Sequence, residues 1–204
     1  MLSRFFGTPP SAKELKFNIT EETARQEYAA SVCDLLAEAV ATRREIIILC
    51  IGTDRSTGDA LGPLTGSRLR ALYGYPHVYG TLAEPIHATN LPDALRAIIH
   101  LVANPFIVAV DACLGRLENV GYVTVGRGPL RPGAAVNKDL PSVGDACITG
   151  IVNVGGFMEH LVLQSTRLNL VMTMADAIAQ GLACGLKKVG RQRNESPAAV
   201  STID

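Results

Sequence analysis

Two segments of this chain are apolar without interruption, and they restrict the possible folds more than any other feature. Residues 46–51 read IIILCI and residues 106–110 read FIVAV. β-Branched side chains dominate both segments, and a strand that is apolar at every position is typical of a parallel sheet covered on both faces. Gly52 ends the first predicted strand and Asp111 directly ends the second. The two segments therefore predict a parallel sheet inside an α/β protein.

The segments around these strands carry helical periodicity. In the first of them, Tyr28, Val32 and Leu35 recur at spacings of four and three, which indicates a helix with one buried face. Helices are predicted over residues 20–39, about 59–73, 90–101, 157–164 and 167–185. Further strands are predicted over residues 77–80, 122–125 and 146–154. A long loop is predicted over residues 126–144. Strands that alternate with helices predict a three-layer α/β/α sandwich with a mostly parallel central sheet.

Length and composition indicate one domain. The chain has 204 residues, of which 48% are hydrophobic, and this is enough apolar material for a single core. We place the α/β domain at residues 20–186, a flexible N-terminal arm at residues 1–19, and a basic, disordered tail at residues 187–204. Residues 168–186 approach the length of a membrane span, but polar residues such as Asp176 interrupt them, which favours a core helix.

Charge and cysteine content argue against several classes of partner. Nineteen Lys and Arg residues balance nineteen Asp and Glu residues, so no net field draws the chain to nucleic acid or to an anionic membrane. The five cysteines are scattered and include no CxxC pair, which argues against a disulfide framework and a zinc site. With no apolar signal segment near the first residue, these features predict a cytoplasmic protein with neither nucleic acid nor membrane as partner.

Asp59 and Asp111 are the candidate catalytic residues. Asp59 follows the first apolar strand through the loop 52–58, and Asp111 follows the second strand directly. The carboxyl ends of neighbouring parallel strands meet in one crevice. Two carboxyl groups placed there would have different pKa values, so that one could activate water while the other protonates a leaving group. The alternative is structural, with Asp59 complementing a helix dipole and Asp111 serving as a turn residue.

Other polar residues near the strand ends are secondary candidates. Thr57 and Asn153 could orient the acids or a substrate by hydrogen bonding, or could serve only as caps. Cys50 or Cys113 could act as a thiolate beside a histidine, although strand cysteines are more often small core residues. The loop lacks the P-loop and dinucleotide-binding motifs, and no two histidines have a spacing suited to joint ligation, so we predict neither a cofactor nor a bound metal.

Four segments of the chain form a recognisable set. They are CIGTDRSTGDALGP at residues 50–63, VDA at 110–112, ITGIVNVGGFMEH at 148–160 and LQSTRL at 163–168. They resemble the YyaC-like sporulation proteins, which are related to the germination protease of spore-forming bacteria. The likeness to the germination protease itself rests on residues 57–63, on 111–112, and on residues 132–133 with 137–138. The resemblance implies an α/β fold shared with the hydrogenase-maturation endopeptidases, with Asp59 and Asp111 at the positions of the protease's two aspartates.

The resemblance implies a sporulation-associated peptidase that uses the aspartate pair to activate water against a peptide bond. Hydrogenase-maturation enzymes that recognise nickel have a glutamate where Asp59 stands, which favours a reaction without metal. We expect a protein or peptide substrate, with a spore protein as the candidate, in the forespore or mother cell, and leave homo-oligomer formation open. In this hypothesis Arg127, Arg131 and Lys138 of the long loop line the substrate groove. The alternative is a catalytically inactive, protease-like scaffold that acts as a binding or regulatory protein.

Overall fold

A computed structural model describes residues 14–132 and 142–195 of the chain. Six strands and five helices alternate along most of this part of the chain. They are β1 (Leu15–Asn18), α1 (Glu22–Ala41), β2 (Ile46–Cys50), α2 (Leu61–Tyr73), β3 (Val78–Tyr79), α3 (Leu91–Leu101), β4 (Phe106–Gly115), β5 (Tyr122–Arg127), β6 (Ala146–Val154), α4 (Glu159–Gln164) and α5 (Leu168–Glu195). A 3-10 turn at Gly58–Ala60 leads into α2, and a second one at Leu117–Asn119 follows β4.

The six strands form one sheet in the order β1-β5-β6-β4-β2-β3. The strands β3, β2, β4 and β6 are parallel, whereas β5 pairs antiparallel with β6 and β1 pairs antiparallel with β5. Strands β2 and β4 pair from Ile46 with Phe106 to Cys50 with Val110, so the two apolar segments are direct neighbours. The mostly parallel sheet predicted from these segments is confirmed.

Helices cover both faces of the sheet, which confirms the three-layer architecture. On one face α1, α2 and α5 bury the side chains of Val108, Val110 and Ile148. On the other face α3 contributes Leu91 and Leu95 to a second core cluster formed with β2 and β4. By length and composition α5 could cross a membrane, but 56% of its most apolar window is buried, and the helix packs against α1 and α2.

Both ends of the described chain depart from the predicted boundaries. Residues 15–18, assigned to the flexible arm, form β1, because Phe17 is buried beside Tyr28 with the ring centroids 5.8 Å apart. Helix α5 continues to Glu195, so the first part of the predicted tail is helical, and Val189 extends its buried side. The rest of the predicted arm and tail, residues 1–13 and 196–204, lies outside the described residues.

The predicted loop 126–144 begins as a strand. Strand β5 continues through Arg127, which pairs in register with Ala146 at the start of β6 and forms an ion pair with Glu38 of α1. The amino end of β6 is opposite to the edge where Asp111 lies, so the prediction that Arg127 lines a groove beside the acids is wrong. Arg131 is exposed, and residues 133–141, Lys138 among them, lie outside the described residues.

Candidate active site

Asp111 lies inside β4 and not at its end, which corrects the prediction. Strand β2 stops at Cys50, but β6 continues to pair with β4, and Asp111 lies opposite Thr149 of β6. The last pair between β2 and β4 is Cys50 with Val110, so Asp111 is the first residue of β4 beyond the end of β2. At Asp111, β4 is therefore paired with β6 on one side and no longer with β2 on the other.

Asp59 reaches the same edge through the 3-10 turn at Gly58–Ala60. Gly52, at the end of β2, has a φ of 143°, and a Cβ atom there would lie 2.0 Å from the carbonyl oxygen of Asp59. Only glycine allows this approach without strain, and the Thr53 N–H donates to the same carbonyl oxygen at 3.2 Å. The turn also contacts β4, so the local backbone brings Asp59 to the strand that carries Asp111.

The two carboxyl groups have unequal surroundings. The side chain of Asp111 is 6% exposed, whereas Asp59 is partly exposed. Burial is the main cause that raises the pKa of Asp111 well above its usual range, and the charge of Asp59 raises it further. The Ala112 N–H donates to Asp111 Oδ1 at 2.8 Å, which lowers the pKa by a smaller amount. The pair is thus arranged so that Asp111 favours its protonated form beside the charge of Asp59.

Asn153 joins the end of β6 to the corner between α4 and α5. Its amide group donates to the Val162 carbonyl at 3.3 Å and to the Thr166 hydroxyl at 3.2 Å, while the Val154 N–H donates to Asn153 Oδ1 at 2.9 Å. These bonds are structural, so the predicted supporting role of Asn153 acts through the position of this corner. Thr57 directly precedes the Asp59 turn, and its hydroxyl does not cap that turn.

The Asp59 turn rests on the corner that Asn153 holds. A Cβ atom added to Gly58 would lie 2.9 Å from Leu163 Cδ2 and 3.0 Å from both the Leu163 carbonyl and the Thr166 hydroxyl. The contact between the turn and the corner is therefore tight, and a shift of the corner would move Asp59. Asn153 therefore holds the corner against which the Asp59 turn packs.

Two hydroxyl groups near the acids were missed by the sequence reasoning. Thr149, opposite Asp111, is buried, and its hydroxyl lies 2.7 Å from that of Thr124 on β5. Ser56, in the loop before Asp59, is buried, and its hydroxyl has no hydrogen-bond partner among the described residues. Thr149 could have been identified, because it is a polar residue inside a predicted apolar strand. Ser56 could not, because no local sequence pattern indicates that a serine in a loop is buried.

The thiol and metal alternatives find little support in the geometry. Burial raises the pKa of Cys50 to about 12 and that of Cys113 to about 11, so both thiols are neutral at physiological pH. Throughout residues 14–132 and 142–195, no group of three His, Cys, Asp or Glu side chains is placed to hold a metal ion. The donor set around the two acids therefore does not fit a resident metal.

Three large apolar residues are exposed around the start of α4. They are Phe157, Met158 and Leu161, with exposed fractions of 89%, 57% and 49%. Helix α4 contacts the 3-10 turn that carries Asp59. We call these three residues the α4 surface; large apolar side chains exposed together are typical of interaction sites.

Comparisons with known proteins agree with this architecture. The solved structure of the NiFe hydrogenase maturation protease HycI from Thermococcus kodakarensis KOD1 superposes with a TM-score of 0.50 at 23% identity, covering 70% of this chain and 92% of that one, which shows a shared fold. "Uncharacterized protein YyaC" of Bacillus subtilis (strain 168) is 55% identical over 179 residues, which are 87% of this chain and 86% of the relative. A family model described as "Protein of unknown function (DUF1256)" matches residues 16–181. The chain is a YyaC-like protein and belongs to the DUF1256 family.

Proposed function

We propose that this chain is a peptidase of sporulating cells in which Asp59 and Asp111 activate water against a peptide bond. The observation that carries the proposal is the unequal pair of acids: Asp111 is buried with a raised pKa, and Asp59 lies beside it at the carboxyl edge of the sheet. A pair of this kind divides the roles of acid and base. The fold shared with a maturation protease supports hydrolysis. The resemblance of residues 57–63 and 111–112 to the germination protease supports a role in the forespore or mother cell.

The proposed reaction needs only the two carboxyl groups and water. The Asp59 carboxylate accepts a proton from water as the water oxygen attacks the carbonyl carbon of the substrate. Protonated Asp111 donates its proton to the amide nitrogen, the C–N bond breaks, and a carboxylic acid and an amine leave. The proton held by Asp59 then returns to Asp111 through solvent, which restores the starting state. The raised pKa keeps Asp111 able to act as the acid.

A protein or peptide substrate fits the surroundings of the pair. The α4 surface exposes Phe157, Met158 and Leu161 at the start of a helix that contacts the Asp59 turn, and an apolar segment of a polypeptide would bury them. Burial of such side chains contributes roughly 25 cal/mol for each Å² of apolar surface removed from water. The α4 surface would therefore bind the substrate and present a nearby peptide bond to the acids.

The test is to incubate the purified protein with spore-core protein extract in EDTA and to map new peptide termini by mass spectrometry. We expect discrete cleavage sites with the natural sequence and none with Asp59→Asn or Asp111→Asn. Asp54→Asn is the matched control, because Asp54 is an exposed acid in the same loop. Cleavage by both active-site variants would refute the mechanism. No cleavage by any form would favour a second candidate, an inactive scaffold that binds a protein partner through the α4 surface.

A further inference from the structure

Helices α1 and α5 approach closely beside Cys33. Gly185 of α5 faces α1, and a Cβ atom there would lie 3.0 Å from Leu36 Cδ1, 3.1 Å from Val32 Cγ1 and 3.6 Å from the backbone nitrogen of Cys33. A larger residue at this position would force the helices apart. The residue before Gly185 is Cys184, so the close crossing brings a second cysteine to Cys33.

The two cysteines are neighbours across the helix crossing. Cys184 directly precedes Gly185, the residue of α5 that approaches the Cys33 backbone, and it lies close enough to raise the pKa of the Cys33 thiol. Cys33 is 6% exposed, and Cys184 is exposed at the protein surface. The sequence shows these cysteines far apart along the chain, and only the packing of the first helix on the last brings them together.

We propose that Cys33 and Cys184 form a reversible disulfide when low-molecular-weight disulfides accumulate around the protein. This inference does not depend on the proposed peptidase activity. Disulfides in a reducing compartment are usually transient and redox-sensing, and a pair with one exposed thiol suits that use. The bond would link α1 to α5, and α5 also contacts the turn that carries Asp59.

The reaction is a double thiol–disulfide exchange. The thiolate of Cys184 attacks one sulfur of a small disulfide RSSR, the S–S bond breaks, and one RS⁻ leaves. The thiolate of Cys33 then attacks the Cys184 sulfur and displaces the second RS⁻. The two cysteines together lose two electrons and two protons, and the small disulfide is reduced to two thiols.

The second step is expected to depend on pH. Burial and the neighbouring Cys184 and Asp34 raise the pKa of Cys33, whereas Lys188 opposes them. Little Cys33 thiolate is therefore present at neutral pH, and the closing step should be faster at pH 9 than at pH 7.

The test uses the full chain with oxidised glutathione, followed by peptide mapping under non-reducing conditions. We expect one linked peptide pair containing Cys33 and Cys184, the loss of two of the five free thiols, and reversal by dithiothreitol. The cross-link should raise the Tm of the natural sequence and should be absent from Cys184→Ser, whose exposed position makes folding insensitive to the change. Cys113→Ser is the control that keeps the cross-link. A stable glutathione adduct on Cys184 without closure, no reaction, or a cross-link between other cysteines would overturn the proposal.

Discussion

Replacing Asp111 by Asn separates the charge of this side chain from its shape. The Ala112 N–H now donates to Asp111 Oδ1 at 2.8 Å, and the amide oxygen of Asn can accept the same bond. Because Asp111 is 6% exposed, the variant removes an ionisable group from the protein interior and changes little else. Its effects on stability and on hydrolysis can therefore be predicted separately.

The sign of the stability effect follows from the raised pKa of Asp111. Between the unfolded pKa of about 3.9 and the raised folded pKa, the native state holds a proton that the unfolded state has lost. The stability due to this proton is fully present below the unfolded pKa, falls by about 1.4 kcal/mol for each pH unit in between, and is lost above the folded pKa. Asp111→Asn should therefore be more stable than the natural sequence at pH 7 and equally stable near pH 3.

The assay is thermal unfolding followed by circular dichroism from pH 3 to pH 8. Each kcal/mol corresponds to about 2–4 °C in a chain of this length, so the Tm advantage of the variant should grow by roughly 3–6 °C per pH unit before it levels off. In an Asp59→Asn background the advantage should shrink, because the charge of Asp59 contributes to the shift. A Tm difference that does not change with pH, or a variant less stable at pH 7, would refute the reasoning. Hydrolysis by the variant should fall about 10²–10⁴-fold.

Three further substitutions test the packing of the fold, two of them beside the acids and one at the opposite edge of the sheet. Gly58→Ala should lower the free energy of unfolding in urea by about 1–3 kcal/mol and reduce hydrolysis, because the added Cβ atom would lie 2.9–3.0 Å from its neighbours. In the control Gly190→Ala the nearest neighbour would be 3.6 Å away, so neither the free energy of unfolding nor hydrolysis should change. Arg44 is 7% exposed and donates twice to the Asp145 carboxylate at 2.8 Å, so Arg44→Ala should cost about 3–5 kcal/mol, and a loss below about 1 kcal/mol would contradict this account of the pair. Asn153→Asp removes the amide donor and should cost about 1–3 kcal/mol in the same assay, with unchanged stability as the contrary result.

The sequence allowed the centre of the fold and the edge that holds the acids to be predicted. Residues 46–51 and 106–110 are buried on both faces, and such burial leaves a continuous apolar signal that needs no knowledge of the partner strand. The approximate positions of Asp59 and Asp111 follow from where those two signals end. Their common edge follows from the parallel pairing of β2 with β4.

Features that depend on a distant partner could not be predicted in the same way. Strand β4 continues past Asp111 because β6 pairs with it, and the sequence around Asp111 alone indicates a turn. Residues 15–18 form a strand because β5 offers them an edge, although the segment is too short to show periodicity. The bonds of Asn153 and the proximity of Cys33 to Cys184 likewise depend on how α4 and α5 pack.

The placement of Asp111 inside a strand also bears on its purpose. The turn and capping role considered for Asp111 does not apply, because the residue is paired within β4 and its carboxyl group accepts only from the neighbouring Ala112 N–H in the contacts described for it. At neutral pH the buried carboxyl group of Asp111 lowers the stability of the folded protein, and the nearby charge of Asp59 lowers it further. Asn or a small apolar residue at this position would give a more stable protein. A local arrangement that lowers stability without a structural benefit is typical of functional sites, where activity and stability are in conflict. This arrangement supports the catalytic role that we propose for the acid pair.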